Sequence, residues 1–427
     1  MSRKEDNEMR PDLTGKKLLI IAGSIHEYDL VRRAKELGVY TIVTDYYDVE
    51  TSPAKKIADE YWNISWEDLD TLEKKCREEH IDGITAGYSE STVDRCIKLC
   101  NRLKLPCYCT QEQLDILKDK KSFKDECRKY GVPVVREYKQ KEDVKSFPII
   151  VKPVDRGGSI GVGVANNQEE LDAVYEYAMK MSYCKQVIIE DFIYWGNKFD
   201  AYYSITNEEI TFLSSSDTIN AKGNGFDKVV QSGWTLPSRY ETQFLEKVDL
   251  NIRKMILGMG IKNGFFFFSG FSDGERFVFF ETGFRLSGGH MYRYFEANGM
   301  PDIQDIFIQH ALVGNSDGIK FSGKNNGKKA LIINYYAKEG TLSKLLGLNE
   351  IKQIPECGFA IPMCKVGTVC HQDKAILSKL GMVHLYSSDE NKIKADLKIV
   401  NDLFVAQDEN GKDMVFDRMN EEDIAFR

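Results

Sequence analysis

The sequence predicts a multidomain protein of mixed class, with a parallel α/β domain first, a larger domain with antiparallel strands next and a small α+β domain last. The first hundred residues alternate short apolar runs with helical patterns, which is typical of a parallel sheet. Later strands are joined by hairpin turns instead. The length of 427 residues also exceeds what one hydrophobic core usually supports. We expect domains at residues 15–110, 111–323 and 329–427.

Composition excludes several classes of protein. The chain is 42% hydrophobic and 29% charged, and it has no apolar run near the about 18 residues of a membrane span. Its net charge is −8 and neither sign collects in blocks, which disfavours nucleic-acid binding. The polar N-terminal residues lack a secretory pattern, so we expect a cytoplasmic protein. The ten cysteines are then expected to be reduced and mostly buried, not metal-bound.

The first domain is predicted element by element from its apolar runs. Residues 17–22 form a buried strand, the turn Gly23-Ser24 follows, and a helical stripe from Leu30 to Leu37 ends at Gly38. The alternation continues with a strand at 39–44, a helix at 69–79, a strand at 81–86 and a helix at 90–103. The turn after the first strand lacks the three glycines of a dinucleotide site, which disfavours an oxidoreductase. Crevices at the carboxyl ends of parallel strands still favour some other ligand there.

The middle of the chain contains more strands and hairpins. Asn167 and Glu170 predict a capping box that starts a helix. The turns at Asn207 and at Asp273-Gly274 each predict a hairpin. The other predicted elements are helices at 111–117, 120–130 and 244–256, and strands at 147–152, 186–190, 200–204, 209–214, 264–271 and 276–282.

The last hundred residues follow a polar linker at 324–328 and predict a small α+β domain. Strand-like runs occupy 330–336 and 381–386, and helical runs occupy 342–346 and 390–403.

A lysine at a strand end followed by a glycine-rich loop is the strongest local signal. Glycines expose backbone N–H groups to a phosphate, and the lysine supplies a fixed positive charge. Lys152 is followed by Gly157, Gly158, Ser159 and Gly161. An ordinary glycine-rich hairpin with a surface lysine remains the alternative, and the P-loop string is absent.

Four motifs together resemble the ATP-grasp superfamily, in its branch of amino-acid ligases, carbamoyl-phosphate synthase large subunits and biotin carboxylases. They occur in the family's order: Asp119-Lys120 ahead of Gly131-Val132-Pro133; Pro148 to Pro153 with Gly157 to Val162; Val187 to Ile193; and Glu281-Thr282-Gly283-Phe284-Arg285. The resemblance implies a pre-ATP-grasp α/β domain, a two-lobed ATP-grasp domain and a small α+β C-terminal domain.

The resemblance also implies roles for individual residues. Lys120 and Lys152 would contact the α- and β-phosphates of ATP, with Ser159 and its flanking glycines covering them. The backbone of Glu190, Asp191, Phe192 and Ile193 would frame the adenine. Glu281 would hold Mg²⁺ or Mn²⁺, and Arg285 would stabilise the charge on the moving γ-phosphoryl group. This division agrees with the chemistry, because phosphoryl transfer needs positioning and charge neutralisation.

The chain departs from the family pattern at three positions. Gly283 stands where the family has a metal-binding asparagine, and no acid lies at 265–269, so a two-metal site is in doubt. Lys198 replaces an acid that often lies near the ribose, and Asp200 or Glu190 would take over that contact.

Ser287, Gly288, Gly289 and His290 follow Arg285, where the family brings the acceptor carboxylate to the γ-phosphate. Amides around two glycines would hold an acyl phosphate, and a plain turn leading into a helix is the alternative. We expect His290 to be structural or to contact substrate, not to act as a base. Lys222 belongs either to a loop that closes over the site or to an exposed loop.

These motifs predict an ADP-forming ligase in which ATP activates a small carboxylate as an acyl phosphate for attack by an amine. One alternative is bicarbonate-activating chemistry of the carbamoyl-phosphate synthase or carboxylase kind. Another is an ATP-binding sensor or scaffold without turnover, favoured by the missing metal ligands. We expect no nucleic-acid or membrane partner, and a homodimer is the default assembly.

Overall fold

The fold is taken from a computed structural model, which describes residues 10–156, 160–222, 230–321, 326–371 and 378–426. An N-terminal parallel sheet packs against a region built on antiparallel sheets, as the sequence predicts. The mixed fold class is therefore confirmed.

The N-terminal region is a four-stranded parallel sheet in the order β3-β2-β1-β4. Its helix α1 begins at the N-cap Ser24, whose side chain forms a full capping box with Glu27. The predicted alternation is confirmed, and the short strand β3 is an addition to it. The elements are β1 (Lys17–Ile21), α1 (Ile25–Glu36), β2 (Tyr40–Thr44), β3 (Glu60–Trp62), α2 (Leu69–Glu78), β4 (Gly83–Thr85) and α3 (Glu90–Leu103).

A small lobe follows, with a four-stranded sheet in the order β5-β8-β6-β7. Its separate core includes Ile149, Val151 and Leu171, all fully buried. The elements are α4 (Gln111–Lys118), α5 (Lys120–Lys129), β5 (Glu137–Tyr138), β6 (Ile149–Pro153), β7 (Gly163–Ala165), α6 (Gln168–Met181) and β8 (Val187–Asp191).

The largest sheet has eight strands in the order β13-β12-β9-β10-β11-β14-β19-β17. Because β11 pairs with β14, this sheet runs from the middle of the chain into the C-terminal part. The elements up to that crossing are β9 (Asn197–Thr206), β10 (Glu209–Asn220), β11 (Gln231–Leu236), α7 (Glu241–Lys247), α8 (Asp249–Gly258), β12 (Gly264–Ser272), β13 (Phe277–Gly283), α9 (Tyr292–Ala297) and α10 (Gln304–Val313).

The C-terminal part packs its own core against the end of that sheet, around Ile333, Val383 and Leu397. The elements are β14 (Lys329–Tyr336), β15 (Gly340–Thr341), β16 (Lys344–Leu346), α11 (Leu348–Ile351), β17 (Cys357–Pro362), β18 (Val369–Cys370), β19 (Lys379–Ser387), α12 (Glu390–Leu403) and β20 (Val405–Gln407).

Three local predictions need correction. Residues 342–346 are not helical, because Lys344–Leu346 pairs with β20 as a strand. The long helix predicted over 244–256 is two helices that meet at Val248. The capping box at α6 is half formed: Asn167 accepts from the N–H of Glu170, but the Glu170 carboxylate bonds to the N–H of Asn166 instead.

The N-terminal region is fixed to the rest by buried charges. Arg33 on α1 and Arg10 both bond to the carboxylate of Asp305 on α10, with nitrogen–oxygen distances of 2.6 Å. Six of the ten cysteines are buried and all ten are free, as predicted. Across the described ranges, no helix has both the length and the apolar character needed to cross a bilayer.

Candidate active site

The two predicted lysines lie on different elements, Lys120 at the start of α5 and Lys152 on β6. Lys152, on β6, bonds to Oε2 of Glu190 at 2.7 Å. Lys124, one turn into α5, reaches Oε1 of the same carboxylate at 2.5 Å and Oε2 of Glu137 at 2.7 Å. Burial alone would raise the pKa of Glu190, but the charges of Lys152 and Lys124 outweigh it and hold that pKa below its usual value.

The two lysines that pair with Glu190 differ in their exposure to solvent. The side chain of Lys124 is wholly buried, whereas that of Lys152 is 19% exposed. Lys124 alone can keep Glu190 neutralised if Lys152 turns toward a phosphate. The sequence analysis missed Lys124, although its position four residues after Lys120 places both on one helix face.

Lys120 starts α5 and points to the beginning of the glycine loop. Its ammonium lies 3.4 Å from the carbonyl oxygen of Arg156. Gly161 closes the loop with φ +75°, and a β-carbon there would come within 2.7 Å of Pro153 and Met181, so only glycine fits. The predicted phosphate-covering residues Gly157, Gly158 and Ser159 lie outside the described residues.

The segment predicted to frame the adenine continues from β8. The N–H groups of Asp191 and Phe192 bond to the carbonyl oxygens of Arg136 and Pro148, both at 3.1 Å. Any adenine contact from this segment therefore falls to Ile193 or to backbone carbonyls. Of the two acids considered for the ribose, Glu190 is paired with the two lysines and Asp200 is bonded to Ser269.

A row of oxygen-bearing side chains crosses three strands of the large sheet. Ser269 on β12 is in register with Glu281 on β13 and with Asp200 on β9. The Ser269 hydroxyl donates to the Asp200 carboxylate. Burial raises the pKa of Asp200; Lys198 opposes this rise and Glu281 adds to it, so both carboxylates belong to one electrostatic site.

The structure gives a reason for glycine, and not asparagine, at position 283. A β-carbon on Gly283 would lie 2.2 Å from the ring of Phe267, which fills the space of the absent side chain. The same ring lies 5.2 Å from the guanidinium of Arg285. Phe267 thus excludes an asparagine here and supports the arginine instead.

Strand β13 connects the small lobe to the N-terminal region. At its middle, the ring of Phe280 lies 5.5 Å from the ammonium of Lys152 and 5.8 Å from that of Lys198. Just past its end, Arg285 bonds to Glu90, at the start of α3, at 2.7 Å. One strand therefore passes from the predicted phosphate lysines to the crevice of the parallel sheet.

The turn of Ser287 to His290 closes this crevice. His290 is fully buried, with φ +52° and its N–H bonded to the carbonyl of Ser287 at 3.0 Å. Gly288 faces His26, since a β-carbon on Gly288 would lie 3.5 Å from Cε1 of that histidine. The two histidines, from different domains, bond to each other at 2.8 Å. The turn does precede a helix, α9, and it also contacts the end of the parallel sheet through His26.

Lys222 lies away from these groups. Its ammonium pairs with Asp423 and its side chain is 60% exposed, in agreement with the exposed-loop alternative. Residues 223–229 of that loop fall outside the described part of the chain. His26, Tyr88 and Glu90 are further crevice residues that sequence reasoning missed, although the crevice itself was predicted from the strand ends.

The chain is similar to ATP-dependent ligases in both sequence and fold. Residues 125–258 match the family model "D-ala D-ala ligase C-terminus". The carbamoyl phosphate synthase large chain of Caldanaerobacter subterraneus subsp. tengcongensis is 25% identical over 267 residues, 57% of this chain and 24% of that relative. The chain thus spans about a quarter of the length of such relatives.

Solved structures match almost the whole fold. The L-amino acid ligase of Bacillus licheniformis has a TM-score of 0.75 at 18% identity, covering 93% of this chain and 100% of that one. The biotin carboxylase domain of the Hydrogenobacter thermophilus 2-oxoglutarate carboxylase, solved with MgADP, ADP and bicarbonate, has a TM-score of 0.72 at 17% identity, covering 92% and 91%. The chain is therefore similar in sequence and in fold to ATP-grasp ligases, which confirms the resemblance read from the motifs.

Proposed function

We propose that the protein is an ADP-forming ligase that activates a small carboxylate as an acyl phosphate and joins it to an amine. The observation that carries this proposal is the path of β13. Phe280 on this strand lies beside Lys152 and Lys198, and Arg285, just past its end, bonds to Glu90 of the N-terminal region. A γ-phosphate held by the small lobe would thus meet a substrate held in that crevice.

Each group of residues would have its own role in the reaction. Lys120 and Lys152 would neutralise the α- and β-phosphates, with Lys124 keeping Glu190 paired when Lys152 moves. Arg285 would leave Glu90 and stabilise the charge of the transferring phosphoryl group. Backbone amides of Ser287 to Gly289 would hold the acyl phosphate oxygen. The substrates would therefore be an organic acid and an amine small enough for the crevice.

Mg²⁺ fits the oxygen-rich row on the large sheet. The ion prefers carboxylate oxygens and usually keeps waters and phosphate oxygens as its other ligands. Glu281 and Asp200, both in register with Ser269, would supply the two carboxylates, so Asp200 would replace the acid missing at 265–269. When bound, the ion neutralises phosphate charge. These oxygen ligands also accept Mn²⁺.

The proposal is tested by incubating the protein with ATP, Mg²⁺ and single amino or organic acids, with hydroxylamine as the trapping amine. We expect ADP, phosphate and a hydroxamate in equal amounts for the acids that are substrates. An acid labelled with ¹⁸O in its carboxylate should transfer one label to phosphate. AMP and pyrophosphate as products would contradict the proposal.

The sensor alternative is favoured by Ser269 and Gly283, which replace two usual metal ligands. In that case ATP would raise the melting temperature, yet no acid would trigger ADP formation, and Glu281→Gln would leave the shift in melting temperature unchanged. Bicarbonate-dependent ADP release without any organic acid would instead favour the carboxylase-like alternative. The cytoplasmic setting and the homodimer stay predictions.

A further inference from the structure

We propose that His26 is the proton acceptor for the attacking amine, held in its reactive tautomer by a hydrogen-bond chain through His290 and Tyr292 to Asp29. This inference rests on the proposed ligase function and assigns a residue to its second step. The hydrogen-bond chain crosses the boundary between the N-terminal region and the large sheet, so it exists only when these two parts of the protein are in contact.

The direction of each hydrogen bond follows from the ionisation of Asp29, which is the last residue of the hydrogen-bond chain. Asp29 is ionised: burial raises its pKa, but the charge of its ion-pair partner Arg293 and the hydrogen bond with Tyr292 outweigh burial and hold that pKa below the usual value. A carboxylate only accepts, so the Tyr292 hydroxyl donates to Asp29 at 2.6 Å. The tyrosine oxygen then accepts from Nδ1 of His290 at 2.5 Å.

The same logic sets the tautomers of both histidines. A neutral His290 that carries its proton on Nδ1 has a bare Nε2, which must accept from Nδ1 of His26 at 2.8 Å. His26 then has its lone pair on Nε2. Within the described part of the chain, no hydrogen bond uses that atom, and it lies 3.7 Å from a β-carbon built on Gly288.

Both histidines are neutral in the free protein. Burial lowers the pKa of His26 to about 3, and its neighbour His290 and the positive charges of Lys379 and Arg285 lower it further. Burial also lowers the pKa of His290, and Asp29 only partly restores it. The charged or titratable groups around the chain are Glu27 and Asp29 on α1, Tyr88 and Glu90 after β4, Arg285, Tyr292 and Arg293 beside the turn, and Lys379 on β19.

The ring of His26 is also fixed in orientation. It stacks on Tyr88 with a centroid distance of 5.3 Å and an interplanar angle of 28°. The Tyr88 hydroxyl donates to Tyr292 at 3.2 Å, so it supports both ends of the chain. His26 lies on α1, two residues after the N-cap Ser24. Its backbone N–H donates to the Ser24 hydroxyl oxygen, which fixes the position of the residue.

The charges nearby indicate an anion in front of His26. Burial lowers the pKa of Lys379 to about 8, and no carboxylate of the described residues lies within 4.0 Å of its ammonium, which faces the Tyr336 ring at 5.7 Å. An acyl phosphate placed against Arg285 and Lys379 offsets two charges that lower the pKa of His26. The base thus strengthens when the intermediate is present.

The step balances without another reactant. The amine nitrogen forms a bond to the acyl carbon with its lone pair, and the bond from that carbon to the phosphate oxygen breaks with both electrons on phosphate. The proton lost by nitrogen goes to Nε2 of His26. The imidazolium then returns it to solvent or to the departing phosphate.

The first test reads the tautomers directly and needs no substrate. Selective ¹⁵N labelling of the six histidines gives ring spectra in which His26→Asn identifies the His26 signals. At neutral pH we expect His26 with its proton on Nδ1, and loss of that preference in Tyr292→Phe. A proton on Nε2 of His26, or an imidazolium, overturns the proposal.

The second test separates the two half-reactions with His26→Asn, which keeps a donor toward His290 but cannot take up a proton. Catalysis by a positioned base contributes about 10²- to 10⁴-fold, so we expect amide formation with an amino acid to fall at least about 10²-fold. Hydroxylamine, which is largely unprotonated at neutral pH, should still trap the acyl phosphate within a few-fold of wild type. Tyr292→Phe should show the same split, more weakly.

The controls make failure of each idea visible. His80→Asn alters an exposed histidine at φ +53°, a conformation that asparagine tolerates, and should leave both rates unchanged. Equal loss of amide and hydroxamate in His26→Asn, or no loss, overturns the base role while the ligase function stands. Absence of hydroxamate with wild type for every acid defeats the ligase function itself, and the tautomer spectra then decide the state of His26.

Discussion

The proposed phosphate end and the proposed substrate end of this site organise their charges in different ways. At the phosphate end, Lys124 on α5, which packs against β13, and Lys152 on β6 of the small lobe share the buried carboxylate of Glu190. At the substrate end, His26 meets His290 and Glu90 meets Arg285 across a domain boundary. The first set joins the small-lobe sheet to α5, whereas the second joins the N-terminal region to the turn after β13, and the two sets share no residue. Nucleotide binding and substrate chemistry should therefore fail separately.

The largest expected effect comes from Lys152→Ala. Loss of the partly exposed lysine removes a phosphate contact while Lys124 still pairs with Glu190, so the lobe should fold. We expect ADP formation to fall by about 10³-fold, in line with the loss of a preorganised charge at the transferring group. Lys180→Ala, at an exposed position on α6, is the matched control. Retained ADP formation in Lys152→Ala would move the phosphate site elsewhere.

Glu281→Gln tests whether the oxygen row binds the metal. With one of two carboxylates gone, the Mg²⁺ concentration for half-maximal ADP formation should rise by about 10- to 100-fold. A magnesium titration of phosphate release at saturating ATP measures this. An unchanged midpoint would mean that Glu281 does not bind the ion.

Lys124→Met sharpens the contrast between the two lysines. It leaves Glu137 and Glu190 with less compensation at a fully buried position, and breaking such a pair costs about 3–5 kcal/mol. Denaturant unfolding should show this loss. Lys152→Met should cost much less, because Lys124 remains on Glu190; equal costs would contradict the division of roles.

The smallest effect concerns acid stability at the substrate end. Burial holds the pKa values of His26, His290 and His384 below the usual value. Between pH 6.5 and 5 the unfolded chain binds more protons at these residues, so stability falls as the pH is lowered through that range, by up to about 1.4 kcal/mol per pH unit for each proton. In His26→Asn, the slope of the free energy of unfolding against pH, measured from pH 6.5 to 5, should fall by the equivalent of up to one proton. Identical slopes would show that His26 titrates normally.

The same contrast explains what could be predicted from the sequence. Phosphate residues occur in short motifs, and strand–loop spacing places Lys152 near Gly161 whatever the rest of the chain does. The parallel domain was also predictable, because each of its elements has a local periodicity. The strand at Lys344–Leu346 was not, since its partner β20 lies some sixty residues later.

The chain from His26 to Asp29 could not be predicted in this way. His26 and His290 are 264 residues apart, and nothing local signals that they touch. The sequence did suggest a ligand at the end of β1, which points to His26 as a residue to examine. The glycine at position 283 could not be explained from its local sequence either. The Phe267 ring that excludes a side chain there lies on the paired strand β12.

A crystal structure with a nonhydrolysable ATP analogue and Mg²⁺ tests the central claim most directly. The account predicts the triphosphate between Lys120 and Lys152, the ion on Glu281 and Asp200, and the γ-phosphate pointing past Arg285 toward His26. An analogue bound elsewhere, or a γ-phosphate directed away from the crevice that His26 and His290 share, would contradict it.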